Sequence, residues 1–393
     1  MRKLTVLLFF TIIPLLTLSC STGYNNPKPL HLSKSYYDYL QPTFTDYLKV
    51  TKSWLTQHRS FISTDHEREL SMNMPFERGN KHSNKAILLV HGLGDSPHSF
   101  SDLASTFAAQ GFYVQVLLLP GHGSSPKDIL LTTYSDWQNI VDHYTNLLHK
   151  NHQKVWLGGF STGANLVSIN SLKNKDIAGL VLISPGFKSV NPILEKFSSF
   201  AALFWDGIAE QEDNFAKYNS MPLHGMAEYS KSAVTFREKI AHKQITIPTL
   251  IAVSEADSII NTHAIADIFS KNFSNPNSKF IWYGKKENLS LLKRKKTYSM
   301  FLTSQKISTA SHMSPLFSPS NYYYGKNGEK LICKNSLDDT QTELCKRGEN
   351  IWFSAWGYKE KGKVHARLTW NPYFDALENE IKQIIKIDGS IVR

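Results

Sequence analysis

The stretch Gly158-Gly159-Phe160-Ser161-Thr162-Gly163 constrains this chain more than any other. Ahead of it, Lys154-Val155-Trp156-Leu157 is a short apolar run of the kind that forms a buried strand; behind it, Ala164 to Ile169 has helical spacing. Strand, sharp turn and helix follow in immediate succession. Gly159 and Gly163, two residues to either side of Ser161, fit a turn so tight that side chains there would strike the neighbouring strand and helix. Ser161 then projects from the strand end with its hydroxyl free, and the N-terminus of the next helix favours negative charge beside it.

The same alternation runs along much of the chain. Ala86-Ile87-Leu88-Leu89-Val90, Tyr113 to Leu119, Gly179 to Ser184, Pro248 to Val253 and Lys279 to Tyr283 are apolar runs typical of strands covered on both faces. Helical patterns over Ser99 to Gln110, Tyr134 to His149 and Thr262 to Asn272 separate them. Such alternation predicts an α/β fold with a mostly parallel, doubly wound sheet whose reactive groups gather at the carboxyl ends of the strands. The alternating Glu69 to Met74 segment predicts opening strands between Phe61 and Phe76, and Met300 to Thr303 predicts a further strand. Phe374, Leu377, Ile381, Ile384 and Ile385 keep helical spacing in a closing helix over Asn371 to Ile387.

The rhythm breaks after Gly186. Residues 188–244 carry no buried-strand run but amphipathic segments with Phe197, Phe200, Phe204, Trp205, Phe215 and Met221, as a helical cap inserted after the strand at 179–185 requires. The expected organisation is a signal peptide at 1–19, a tether and N-terminal extension at 20–57, a first core part at 58–187, the cap at 188–244, and a second core part at 245–393. The polar, cysteine-bearing stretch at about 315–363 reads as a loop excursion within that second part.

Met1-Arg2-Lys3 and the apolar run from Leu4 to Leu18 have the layout of an export signal, too short for a comfortable membrane span. Thr17-Leu18-Ser19-Cys20 resembles a bacterial lipoprotein signal, which implies lipidation of Cys20 and a protein anchored in the cell envelope, facing the periplasm or exterior. That leaves Cys333 and Cys345 as an even pair in an oxidising setting, and their disulfide is expected. The formal net charge of +11 is spread along the chain. Its densest run, Lys293-Arg294-Lys295-Lys296 with Lys285 and Lys286 nearby, lies between predicted strands and reads as a solvated loop, not a nucleic-acid surface. No Cys-x-x-Cys or zinc-ligand spacing points to a metal, and His143, His149 and His152 read as solvent-facing.

Acyl transfer at a serine needs a nucleophile, a base, a carboxylate to orient the base, and donors for the oxyanion. Ser161 supplies the nucleophile. Asp257 follows the strand ending at Val253 and is placed to supply the carboxylate, with Glu255 as its rival. His312, in the small-residue loop Ala310-Ser311-His312-Met313-Ser314, comes after the acid and is the candidate base. His122, in Pro120-Gly121-His122-Gly123, precedes the serine and reads as a loop-shaping residue near the pocket. The oxyanion donors are the backbone amides of Leu93 and Thr162.

These residues together resemble the α/β-hydrolase superfamily, and within it the monoacylglycerol lipase, lysophospholipase and carboxylesterase branch, which also includes serine aminopeptidase-like members. The likeness rests on His91-Gly92-Leu93-Gly94, Leu119 to Gly123, Gly159 to Gly163, Pro248 to Asp257 and His312. It implies a catalytic set of Ser161, Asp257 and His312, no metal or organic cofactor, and hydrolysis of carboxylic esters through an acyl-enzyme. The implied substrate is a small-molecule or lipid ester of monoacylglycerol or lysophospholipid type, met at a membrane surface reached through the lipid anchor. Two stretches depart from the family pattern: the basic segment at 285–296 and the excursion after His312. An aminopeptidase of the same fold is the alternative enzyme. It would need an acidic group in the cap to hold the substrate amine, for which Glu195, Glu210, Glu212, Asp213 and Glu228 are candidates. A non-catalytic envelope binding lipoprotein is the alternative outside catalysis.

Overall fold

The computed structural model describes residues 36–202, 205, 207–285 and 294–388, so the leader and Cys20 lie outside the described residues. The apolar runs become strands β1 (Phe76–Arg78), β2 (Lys85–Val90), β3 (Tyr113–Leu117), β4 (Lys154–Phe160) and β5 (Ile177–Ile183). β6 (Gly207–Ile208) and β7 (Met221–Pro222) form a small antiparallel pair. β8 (Thr249–Ser254), β9 (Lys279–Tyr283) and β10 (Lys295–Tyr298) complete an 8-stranded sheet of order β1-β3-β2-β4-β5-β8-β9-β10. Among the described residues, only its β1 edge pairs antiparallel.

Alternate residues of the central strands enter two separate cores, as a sheet covered on both faces demands. Leu88, Val90 and Leu157 pack with Trp137, Tyr144, Leu166 and Phe269. These come from helices α4 (Tyr134–Asn151), α5 (Thr162–Lys173) and α8 (Thr262–Asn272). On the opposite face Ile87, Leu89, Trp156 and Ile183 pack with Phe107, Leu377 and Ile381, supplied by α3 (Ser101–Ala109) and α10 (Phe374–Asp388). Between β5 and β8 the chain forms α6 (Pro192–Ala201), the β6–β7 pair and α7 (Leu223–Ile240).

Five sequence expectations are corrected. The segment expected to open the sheet contains α2 (His66–Asn73), started by the Asp65 carboxylate accepting from the Arg68 N–H. The buried face of α2 includes Glu69 and Asn73, so polar residues point inward and imitate strand alternation. Glu69 is fully buried because it pairs with Arg59 at 2.9 Å and accepts from the Ile62 and Ser63 amides. The strand expected at 300–303 is irregular, with Leu302 bridging Ile307 around Lys306 at a φ of 54°. The edge strand is instead β10, whose Lys295 and Lys296 belong to the supposed basic loop, and charged residues are a common protection for a sheet edge. Much of that segment, 286–293, lies outside the described residues.

The excursion is more ordered than loops alone. It holds α9 (Asp339–Lys346) and the parallel pair β11 (Ile351–Ser354) and β12 (Val364–Arg367) around a small core of Cys333, Cys345 and Ala366. Cys333 and Cys345 form a disulfide. Finally, His152 is buried, stacked on Tyr113, with Nδ1 2.7 Å from the Ser83 carbonyl. In the N-terminal extension, α1 (Phe44–His58) buries Phe44, Tyr47 and Leu55. No helix among the described residues is long and apolar enough to cross a membrane.

Candidate active site

Register brings the central strands to a common edge: Val90 pairs with Gly159, Phe160 with Ile183, and Ile183 with Ala252. Ser161, leaving β4 at that edge, has φ 52° and ψ −114°, a left-handed conformation costing a non-glycine residue about 1–3 kcal/mol. Its neighbours hold it there. The Ser161 N–H donates to the Ile183 carbonyl at 3.1 Å, and its own carbonyl accepts from the Gly186 N–H at 3.0 Å. A Cβ on Gly159 would stand 2.5 Å from the Ala164 nitrogen, and one on Gly163 2.0 Å from the Val90 oxygen. Helix α5 can therefore lie against β2 and β4 only if both residues lack side chains.

His312 and Asp257 meet across the ends of β5 and β8. His312 Nδ1 is 2.6 Å from Asp257 Oδ2, while Asp257 Oδ1 accepts from the Ile259 and Ile260 amides at 2.8 and 3.1 Å. With Nδ1–H donated to the carboxylate, Nε2 is left as the basic nitrogen. Glu255 turns away to pack on Gly284 and accept from the Lys285 amide. The His312 ring lies 4.9 Å from that of Phe160, next to Ser161. No hydrogen bond joins Ser161 Oγ to His312 among the described residues; such contacts often tighten only with substrate in place.

Two residues that the sequence reading passed over hold the histidine loop. Ser184 Oγ donates to the His312 carbonyl at 2.8 Å, and Ser254 Oγ to the Ser311 carbonyl at 2.7 Å. Their signal in the sequence was position, since each lies at the carboxyl end of a buried strand.

The candidate oxyanion amides flank Ser161. Thr162 opens α5, where first-turn amides have no intrahelical acceptor. The Leu93 loop passes so near that a Cβ on Gly92 would be 3.1 Å from the Ser161 Cβ. Two buried histidines shape that loop: His122 Nε2 accepts from the Gly94 N–H, and His91 Nε2 from the Leu119 N–H, both at 3.0 Å. A ring nitrogen accepting an N–H must be unprotonated. Burial accordingly lowers the His122 pKa to about 4 and holds His91 well below its ordinary value. His98, also buried, is lowered to about 4.

These histidines set a pH dependence. In the unfolded chain each takes up a proton as the pH falls through 6.5, whereas folded His122 and His98 stay neutral to about 4. Their stabilisation is therefore complete above 6.5 and is lost as the pH falls from there towards 4, by roughly 3 kcal/mol for each of the two. Thermal unfolding followed across that window should show Tm dropping steadily. A flat Tm would contradict neutral, buried histidines.

The inserted segment closes over this edge. The Tyr218 N–H donates to the Gly94 carbonyl at 2.8 Å. A Cβ on Gly225 would be 3.3 Å from the Leu93 side chain, and one on Gly186 would be 2.8 Å from the Tyr229 ring and 3.2 Å from the Ser161 carbonyl carbon. The acidic residues considered for holding an amine all have partners. Glu195 pairs with Arg237, Glu210 with Lys334, Asp213 with Lys330 and Glu228 with Lys231, and Glu212 accepts from the Asn219 and Ser220 amides. No group of three or more His, Cys, Asp or Glu residues able to hold a metal ion occurs among the described residues.

The sheet, the strained serine between β4 and α5, and the histidine–aspartate pair at the strand ends define an α/β-hydrolase fold. Residues 81–218 match the family model described as serine aminopeptidase, S33, a span that includes Leu93, Ser161 and Thr162. The chain is 26% identical over 201 residues to the thermostable monoacylglycerol lipase of Bacillus sp. (strain H-257), covering 50% of this chain and 79% of that protein. It is 22% identical over 210 residues to a carboxylesterase of Bacillus subtilis (strain 168), covering 52% of this chain and 84% of that protein. A solved structure of the monoacylglycerol lipase of Paleococcus ferrophilus aligns with a TM-score of 0.44 at 17% identity, over 58% of this chain and 90% of that one.

Proposed function

We propose that this protein is a serine hydrolase that cleaves carboxylic esters through an acyl-enzyme, acting on monoacylglycerol- or lysophospholipid-type lipids at the cell envelope. The observation that carries the reading is the His312–Asp257 contact of 2.6 Å at the sheet edge where Ser161 is held at a φ of 52°. Ser161 Oγ attacks the ester carbonyl while His312 Nε2 takes its proton, and the amides of Leu93 and Thr162 receive the oxyanion. The alcohol leaves with the proton from His312. Water, deprotonated by the same nitrogen, then releases the acid.

Ester hydrolysis is supported by the similarity to a monoacylglycerol lipase and a carboxylesterase. A lipid substrate is supported by the cap, where Ile193, Phe197, Phe200 and Trp205 are 70%, 50%, 64% and 59% exposed. Ile193, Phe197 and Phe200 recur at helical spacing along α6, and exposed apolar side chains of this kind favour contact with lipid or with an acyl chain. The envelope location rests on the leader and Cys20. Ester cleavage is preferred over the aminopeptidase reading because the acidic residues of the cap that were candidates for an amine are paired.

Hydrolysis of 4-nitrophenyl esters from acetyl to palmitoyl tests the substrate class. The expected profile peaks at medium or long acyl chains. Activity confined to acetate would remove the lipid assignment, and no activity across the series in folded protein would remove the ester assignment.

A further inference from the structure

The backbone of the His312 loop is held from two directions. From the sheet, Ser184 Oγ and Ser254 Oγ donate to the His312 and Ser311 carbonyls. The excursion holds it from the other. Residues 306–309 run beside β11 as an added parallel strand: the Phe353 N–H donates to the Lys306 carbonyl at 2.7 Å, and the Ser308 N–H to the Phe353 carbonyl at 2.9 Å. Thr309 Oγ1 then accepts from the Ala355 N–H at 3.0 Å, and Ser311 Oγ donates to the Leu368 carbonyl just beyond β12. Leu368 is itself tied to β11, since its N–H donates to the Ser354 carbonyl at 2.9 Å. Ile307, Ser308, Ser311 and Leu368 are all buried, so water offers no ready substitute for these bonds.

β11 and β12 have 4 residues each, and a two-stranded pair of that kind is marginal by itself. The Cys333–Cys345 disulfide staples it: the two cysteines and Ala366 form a small core on which Ile351, Phe353 and Val364 pack. Two residues after Cys333, Asn335 Nδ2 donates to Ser354 Oγ at 3.1 Å and to the Ala355 carbonyl at 3.0 Å. A continuous series of contacts thus leads from the disulfide through Asn335 and Ala355 to Thr309, and so to the loop of the base. We propose that the excursion positions His312, with Thr309 and Ser311 as the positioning residues, and that full ester turnover therefore requires the Cys333–Cys345 disulfide. The inference rests on the reading of His312 as the base of an ester hydrolase and makes that site fully active only where disulfides form. Without the disulfide, Ser184 and Ser254 still keep the loop at the sheet edge, but the aim of Nε2 towards Ser161 is no longer fixed from the excursion side.

The test measures hydrolysis of 4-nitrophenyl butyrate by the full chain, at a temperature well below the Tm of each variant. Thr309→Val keeps the side-chain shape and removes the acceptor. It should lower kcat by roughly tenfold with KM within about twofold, inside the factor of about 100 that a misplacement of about 1 Å can cost. Thr309→Ser, which restores the acceptor, should recover most of that loss, and Ser311→Ala should behave as Thr309→Val does. Cys333→Ser combined with Cys345→Ser should lose a similar factor. Adding Thr309→Val to that pair should cost little more, because all three changes break one series of contacts. A disulfide that only stabilises the fold would lower Tm and leave kcat alone. Unchanged kcat in folded Thr309→Val or in the folded disulfide-free chain, losses that multiply in the combined variant, or Thr309→Ser as slow as Thr309→Val would each overturn the proposal. Should the disulfide-free chain fail to fold, Asn335→Ala decides in its place, since it keeps the disulfide and cuts the link to Ala355; unchanged kcat there also overturns it. Wild-type hydrolysis separates the two levels: its absence removes the ester reading, whereas its presence with unaltered variants removes only the positioning role.

Discussion

Replacement of Ser161 by alanine is expected to lower ester turnover by about six orders of magnitude, leaving only the residual rate that a preformed binding site supplies. The size follows from the chemistry. Without the hydroxyl no acyl-enzyme forms, so the divided, two-step route is lost along with the function of His312 as its base. The fold should survive, because removing Oγ deletes no hydrogen bond that holds the turn: those run through the Ser161 backbone to Ile183 and Gly186. Labelling by a serine-directed phosphonate gives an independent measurement, expected to be stoichiometric in the wild type and absent in Ser161→Ala. Retention of more than a trace of turnover in a folded, unlabelled variant would remove Ser161 from the reaction.

Asp257→Asn should lower kcat by about four orders of magnitude, the loss characteristic of converting the aspartate of such a triad to its amide. Asp257 divides its two oxygens, Oδ1 accepting from the Ile259 and Ile260 amides and Oδ2 from His312. An asparagine would keep its carbonyl oxygen on the two amides and turn its NH2 towards His312 Nδ1. That nitrogen could then only accept, which moves the imidazole proton to Nε2 and removes the base from the side facing Ser161. Because shape and backbone contacts persist, stability should change little while turnover collapses. Glu255→Gln provides the contrast, since that side chain packs on Gly284 and accepts from the Lys285 amide away from His312. An equal loss in both variants would point to damage in the 254–260 loop and not to lost orientation of the histidine.

Both expectations concern residues that could be singled out before any coordinates, and the reason is steric. A serine between glycines two positions away on each side admits few conformations, and an apolar strand before it with a helix after it leaves one local geometry. The buried strands were legible for a similar reason: the uninterrupted run in β2 and the apolar runs in β5 and β8 satisfy a sheet covered on both faces. The corrections fall where a residue's surroundings are supplied from afar. Glu69 reads as an outward-facing charge until Arg59 and the Ile62 and Ser63 amides are placed around it, and α2 was accordingly mistaken for strand. Lys295 and Lys296 read as loop until β9 is seen to pair with them.

The choice between Asp257 and Glu255, two residues apart, depended on which carboxylate faces a histidine that arrives only after β9 and β10 have been laid down. Ser184 and Ser254 became visible as supports of His312 only once that loop was in place. Backbone sterics and apolar periodicity are properties of neighbours in the chain and were open to reading from the order of residues. Hydrogen-bond partners are properties of neighbours in space, and for this protein they were decided by the packing of the cap and the His312 loop against the carboxyl edge of the sheet.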